Sequence, residues 1–212
     1  VASSAASASR SRWKTSWSRS SPRSTIRLQL GPAFLDPAEC GPLFAQLCAE
    51  LPWQTQPIRM FGKWLMQPRL ICWVGDPGTV YTYSHQVQHP QPWTPTLQTL
   101  RCRIEAITGA RYNSVLINRY RNQHDSVSWH ADNEAVLGPT PAIASLSLGA
   151  TRRFQLRHPR RALRHTLHLA DGSLLLMAGP TQRHWQHAVP KESRPTGERL
   201  NLTFRWVTPQ TR

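Results

Sequence analysis

The sequence predicts a mainly β α+β fold, a sandwich or jelly roll with two helices of the N-terminal half packed against one sheet. Two helical patterns lie before residue 110, and short alternating segments fill most of the chain after it. Turn signals such as Gly138-Pro139, Asp171-Gly172 and Gly179-Pro180 separate those segments at close spacing.

The first helix starts at Pro37, just after Asp36, and carries Leu43, Phe44, Leu47 and Leu51 at helical spacing until Pro52 stops it. The second runs over 95–108, with Leu97, Leu100, Ile104 and Ile107 on one face and Gly109 as its end. Strands are expected at 115–120, 143–148, 153–157, 163–169, 173–177 and 201–207. Several short strands of this kind close into a sandwich or jelly roll. No internal repeat interrupts the pattern.

A length of 212 residues suits one domain with an adequate core. Its expected extent is 25–212, because residues 1–24 are Ser-rich, carry Arg10, Arg12, Lys14, Arg19 and Arg23, and offer too little apolar surface to order themselves. Such a stretch reads as a basic arm, an organellar transit segment or an upstream extension without a role, the last being favoured. No apolar run approaches the roughly 18 residues of a membrane span, so a soluble protein with no membrane partner is expected. A formal charge of +15 and a pI near 11.2 call for a polyanionic partner, nucleic acid or an acidic membrane face. Cys40, Cys48, Cys72 and Cys102 show no C-x-x-C pairing and read as reduced, mostly buried thiols of an intracellular protein.

His130-Ala131-Asp132 sets an imidazole and a carboxylate two residues apart, which in an extended segment project to the same side. Two histidines and one carboxylate leave adjacent positions open on an octahedral iron(II), as oxygen activation with a chelating cosubstrate requires. His165, His168, His184 and His187 are all candidates for the third ligand. On one strand His184 and His187 would face opposite sides, and spacing does not choose between them.

The segment RLNLTFR at 199–205 alternates fully: Arg199, Asn201, Thr203 and Arg205 share one face, Leu200, Leu202 and Phe204 the other. Two arginines facing a barrel interior need anions. Their Cα atoms would lie about 20 Å apart, a span that the two side chains and a small dicarboxylate can fill. The alternative is an edge strand with a solvated polar face.

Taken in order, FGKW at 61–64, PRL at 68–70, YTYS at 81–84, LINRY at 116–120, HADNE at 130–134, HWQHAVP at 184–190 and RLNLTFR at 199–205 resemble the AlkB family of 2-oxoglutarate-dependent dioxygenases. The chain is most similar to the branch that repairs alkylated DNA, over about residues 26–207. The resemblance implies a double-stranded β-helix, with nucleotide recognition at about 53–93 and a jelly-roll core at about 112–207. It implies Fe(II) on His130, Asp132 and His187, with 2-oxoglutarate and dioxygen as cosubstrates. Arg205 and Asn118 would hold the oxalyl end of 2-oxoglutarate, Arg199 and Tyr120 its distal carboxylate, and Asn201 and Thr203 would line the pocket. An N-methyl group such as that of 1-methyladenine or 3-methylcytosine would be hydroxylated and lost as formaldehyde.

Such a methyl group lies on the Watson–Crick edge, so the base must be flipped or single-stranded. By resemblance Tyr83 sandwiches it against His130, Glu134 contacts its exocyclic amine, and Tyr81 and Ser84 are neighbouring pocket positions. Met60-Phe61-Gly62 corresponds to a finger whose Phe fills the gap in a duplex. Arg69 aligns with a pocket or phosphate-contacting position, and the cluster that includes Arg157, Arg160 and Arg161 forms a phosphate-binding surface. Asn133 departs from the acidic residue frequent at that place. The partner expected is alkylated DNA, double- or single-stranded, with RNA as a second substrate. A monomer is expected, in the cytoplasm or nucleoid of a bacterium or in the nucleus or an organelle of a eukaryote.

Overall fold

Asp36 starts helix α1 (Pro37–Glu50) with a reciprocal cap: its Oδ1 accepts the Ala38 N–H at 2.9 Å, and Glu39 Oε2 accepts the Asp36 N–H at 3.0 Å. Thr94 Oγ1 opens helix α2 (Pro95–Thr108) by accepting the Leu97 N–H at 3.3 Å. Gly109 ends it at a φ of 68°, a left-handed conformation that glycine adopts freely. The computed structural model describes residues 26–60, 63–79, 81–83, 86–88 and 90–209, with side chains except at 58–60, 63–65, 81–83 and 86–88. The basic segment 1–24, Phe61, Gly62 and Ser84, and the side chains of Met60, Tyr81 and Tyr83, lie outside the described residues.

The strands are β1 (Arg27–Gly31), β2 (Pro57–Met60), β3 (Lys63–Met66), β4 (Leu70–Gly75), β5 (Tyr81–Tyr83), β6 (Gln86–Gln88), β7 (Ser114–Tyr120) and β8 (Val127–His130). After them come β9 (Ile143–Gly149), β10 (Arg152–Arg157), β11 (Arg164–Leu169), β12 (Leu174–Ala178), the one-turn helix α3 (Thr181–His184), β13 (Gln186–Val189) and β14 (Arg199–Arg205). A six-stranded antiparallel sheet runs β1-β12-β9-β14-β7-β4, and a four-stranded one β11-β10-β13-β8. The hairpins β2-β3 and β5-β6 stand apart from both sheets.

Three layers result. Leu47 and Leu51 of the first helical segment and Leu97, Leu100 and Ile104 of α2 pack on Ile117, Leu146, Leu176, Leu202 and Phe204 of the large sheet. The other face of that sheet meets the small one: Tyr120, Ile143, Leu175 and Met177 join Phe154, Leu156, Leu169 and Val189. Strand β14 sits between β7 and β9, and all seven of its residues are buried. Its apolar residues face the helices and its polar ones the space between the sheets, as period-two alternation demands.

Eight strands lie outside the expected set: the short strands of the hairpins β2-β3 and β5-β6, and β1, β4, β8 and β13 of the two main sheets. β4 is buried over most of its length and reads as a continuous apolar run without alternation. It pairs with β7, so the 53–93 stretch contributes a strand to the large sheet. The last strand begins two residues before the expected 201–207, where Arg199 pairs with Tyr120 and Gly149, and ends two residues early because Asn113 takes over the backbone of Val207, Oδ1 accepting its N–H and Nδ2 donating to its C=O, each at 2.7 Å. Of the cysteines, Cys40 and Cys72 are buried, Cys48 is half-buried and Cys102 is exposed.

Gly149 closes β9 opposite Arg199, with a φ of 83°. A Cβ there would lie 2.5 Å from the Glu198 carbonyl oxygen and 2.9 Å from the Phe44 ring.

Candidate metal centre and cosubstrate pocket

His130 ends β8 and His187 lies on β13, directly opposite it in the ladder. Their rings are 4.2 Å apart between centroids, and Phe154 stacks on His187 from the far side at 5.2 Å. Asp132 follows two residues beyond His130, and one ligand atom from each of the three lies within 4.8 Å of the others. Among the described residues no other group of His, Cys, Asp or Glu converges in this way. His184 belongs to the helical turn α3, so it does not share a strand with His187, and the parity argument between them does not apply. His165 and His168 lie on β11, at the far edge of the small sheet from β8.

Each donor is prepared for a cation. The Nδ1–H of His130 donates to the Ser128 carbonyl at 2.8 Å, which fixes the ring with Nε2 turned to the cluster, 3.9 Å from Asp132 Oδ1. Burial, reinforced by His130 and Arg205 and opposed by Asp132, pulls the His187 imidazole down to about 3, so it is neutral at physiological pH. Burial pushes the Asp132 carboxyl up, but Arg205 and the two imidazoles outweigh it and hold it at about 2. Asp132 Oδ1 accepts from Arg205 Nη2 at 3.0 Å, while the buried Oδ2 has no hydrogen-bond partner among the described residues. Two imidazole nitrogens and one carboxylate are the donor set that a hexacoordinate iron(II) takes with positions to spare.

Gln182 was not foreseen. From α3 its Oε1 accepts the Asp132 N–H at 3.1 Å, and its amide nitrogen donates to Met177 Sδ at 3.4 Å, fixing the loop that carries the carboxylate. No sequence pattern distinguishes this residue.

A row of polar side chains leads away from the cluster along β14. Arg199 Nη2 donates to Asn201 Oδ1 at 2.7 Å and to Ser147 Oγ at 3.0 Å, Ser145 donates to the same Asn201 oxygen at 2.9 Å, and Asn201 Nδ2 donates to Thr203 Oγ1 at 2.8 Å. Ser145 and Ser147 were overlooked although their i, i+2 spacing in an apolar strand marks the same inner face. Arg199 is fully buried, its Nε and Nη1 have no hydrogen-bond partner among the described residues, and burial pulls its guanidinium down to about 10, with Tyr120 partly opposing. Such a charge is expensive unless an anion completes it.

Tyr120 lies opposite Arg199 in the ladder, its ring 5.3 Å from the guanidinium carbon, and the buried Arg152 covers it at 5.4 Å. Asn118 lies opposite Asn201, and Arg205 opposite Ser114, so Asn118 and Arg205 are not cross-strand neighbours. Asn118 Oδ1 instead accepts from Arg69 Nε at 2.6 Å. Arg69 is buried by that bond and by its approach to the Ser126 carbonyl, which removes it from the surface on which a phosphate contact would stand. Glu134 is half-buried beside the cluster and precedes the 3-10 turn Ala135–Leu137. Arg160 and Arg161 are exposed on the β10-β11 hairpin, while Arg157 is half-buried.

A jelly roll with a His-x-Asp and distal His cluster between its sheets, flanked by a buried anion-seeking arginine, defines a non-haem iron oxygenase that uses a dicarboxylate cosubstrate. The family model described as "2OG-Fe(II) oxygenase superfamily" matches residues 27–205. The human alpha-ketoglutarate-dependent dioxygenase alkB homolog 3 is 44% identical over 202 residues, 91% of this chain and 70% of that protein. The mouse DNA oxidative demethylase ALKBH2 is 40% identical over 183 residues, 81% of this chain and 77% of that one. The solved structure of OsALKBH1 superposes with a TM-score of 0.61 at 16% identity, over 84% of this chain and 96% of that chain, and so shares the fold. The chain belongs to the 2OG-Fe(II) oxygenase superfamily and, within it, to the AlkB homologues. It is an Fe(II)- and 2-oxoglutarate-dependent dioxygenase.

Proposed function

We propose that the chain is an oxidative demethylase of N-alkylated bases in DNA, acting on lesions of the 1-methyladenine and 3-methylcytosine type with the nucleotide flipped out of the helix. The observation that carries this reading is the join between ligand cluster and cation row: Arg205 touches Asp132, and Arg199 stands six residues along the same buried strand with N–H groups unspent. Relatives that cover most of the chain are named as DNA oxidative demethylases.

Iron(II) with 2-oxoglutarate and dioxygen supplies the oxidising power, the cosubstrate leaving as succinate and carbon dioxide and the methyl carbon as formaldehyde. His130, His187 and the Asp132 carboxylate would hold the metal. Arg199 and Tyr120 receive the distal carboxylate of 2-oxoglutarate, Arg205 and Asn118 the oxalyl end, with Asn201 and Thr203 setting the pocket wall. The large sheet and its helices exclude water from the row behind the metal. No side chain has to act as nucleophile or general acid.

On the substrate side, Tyr83 stacks the flipped base against the half-exposed His130, Glu134 accepts from its exocyclic amine, and Tyr81 and Ser84 border it. Met60, the last residue of β2, with Phe61 and Gly62, which follow it in the sequence, form the finger that fills the vacated stack. Arg160 and Arg161 meet phosphates of the duplex. In this reading residues 25–212 are one catalytic domain working as an intracellular monomer. No helix among the described residues is long and apolar enough to cross a membrane.

The test is formaldehyde release from matched single- and double-stranded oligonucleotides bearing 1-methyladenine or 3-methylcytosine, with fresh iron, 2-oxoglutarate, ascorbate and oxygen. Turnover that His130→Ala abolishes supports the reading, and no turnover on any DNA overturns it. Phe61→Ala is expected to slow duplex substrates more than single strands; equal losses remove the finger. Faster turnover on the matched RNA would reassign the substrate with the chemistry intact.

A further inference from the structure

The outer face of the small sheet carries a cluster that the reaction above does not use. Across β10, β13 and β8, Leu156, His187 and His130 lie in one row. The next residues along those strands, Arg157, Gln186 and Trp129, point to the opposite face. Arg157 Nε donates to Gln186 Oε1 at 2.9 Å, and its guanidinium carbon lies 4.4 Å from the centroid of the Trp129 ring. Arg157 therefore reaches over β13 and grips β8.

β8 has reason to be gripped. It is an edge strand of four residues. Its register against β13 shifts between His187↔His130 and Val189↔Val127, the two residues Ser128 and Trp129 on β8 facing the single Ala188 on β13, so a bulge falls at Ser128 and Trp129. A bulge breaks the ladder locally and leaves orientation to side-chain packing. Ser128 supplies the carbonyl that fixes the His130 ring, and Trp129 lies between the two.

We propose that Arg157, acting through Trp129 and Gln186, is a positioning residue that holds this bulge so that His130 presents Nε2 to the metal. The proposal rests on the metal-centre reading above and replaces the role of phosphate contact first expected for Arg157. Arg157 also lines a cavity of about 470 Å³ together with Arg161, Arg164 and Gln186.

The experiment is an anaerobic titration of Fe(II) into the full chain in the presence of 2-oxoglutarate, followed by absorbance. Arg157→Leu and Trp129→Leu are each expected to weaken iron binding on the order of tenfold, as loss of a group supporting a metal ligand does. The double variant should bind no worse than either single one, because the two side chains form one tie. Trp129→Phe, which keeps an aromatic face, should restore most of the affinity. Arg194→Ala, an exposed arginine in the connection between β13 and β14, should leave iron affinity unchanged. If Arg157→Leu does not fold, Arg157→Lys, which keeps the charge and loses the planar stack, serves in its place with a smaller loss expected.

Wild-type iron affinity in these variants overturns the proposal. So does a loss confined to the KM for oligonucleotides, accompanied by a salt slope reduced by about one, which would mark Arg157 as a phosphate contact. A wild-type chain that binds no iron would instead overturn the metal-centre reading, and the two failures are thereby distinct.

Discussion

Arg205 Nη2 and Asp132 Oδ1 lie 3.0 Å apart with both side chains buried, so the strand at the centre of the large sheet and the loop that carries the carboxylate ligand are joined by a desolvated ion pair. Removing the cation alone strands the Asp132 charge. Arg205→Met is expected to cost about 3–5 kcal/mol in the metal-free chain. Adding Asp132→Asn should recover part of that loss, and urea unfolding of the two variants measures it. An Arg205→Met chain as stable as wild type would show the pair to be inert.

Gln182 holds the same loop by its backbone. Gln182→Met keeps the volume and takes the acceptor from the Asp132 N–H, leaving a buried donor unpaired. The expected cost is about 1–3 kcal/mol of stability by urea unfolding, with weaker iron binding in the same preparation.

Arg199 predicts effects of opposite sign with and without cosubstrate. In the metal-free, cosubstrate-free chain its buried guanidinium has unspent N–H groups, so Arg199→Met is expected to leave the melting temperature unchanged or raise it. The same variant should lose the thermal stabilisation that 2-oxoglutarate gives the wild type in the presence of metal. Its affinity for 2-oxoglutarate should fall on the order of 100-fold, as loss of charge-assisted hydrogen bonds worth about 3 kcal/mol implies. Calorimetry with and without the cosubstrate separates the two effects.

Acid should destabilise the metal-free chain in two stages. His187 is depressed from its ordinary 6.5 to about 3, so below 6.5 the unfolded chain takes up a proton that the folded one refuses, and stability falls as the pH drops towards 3. Asp132, depressed from 3.8 to about 2, adds its loss between those values. The lowered imidazoles of His158 and His165 act in the same direction in the upper window. His187→Gln should flatten the pH dependence of unfolding between about 6.5 and 3, by at most about 1.4 kcal/mol per pH unit. A slope equal to that of wild type would contradict the buried neutral imidazole.

The parts of the site readable from the chain are those that repeat a local rule. Asp36-Pro37 and Gly109 mark the helices because capping is a short-range matter, and both helices run as their signals indicate. RLNLTFR shows its two faces because alternation survives where a strand has polar and apolar sides. β8 and β13, which deliver His130 and His187, are four residues each, and the register between them is shifted, so periodicity has too little length to act on. Arg69 and Gln182 are set by partners 49 and 50 residues away in the chain, a distance over which no local pattern carries information.

Gly149 bears on how this protein can change. It stands opposite Arg199 at the mouth of the cation row, where a φ of 83°, the Glu198 carbonyl and the Phe44 ring each exclude a side chain. Alanine, the smallest alternative, would have to push β9 off β14 just where the anion-seeking arginine begins. The pocket can therefore drift by exchange of its polar lining, serine for threonine or asparagine for serine, while this one position admits no variation. In a library of random variants selected for folding alone, before any demand for activity, Gly149 should already be emptied of every other residue.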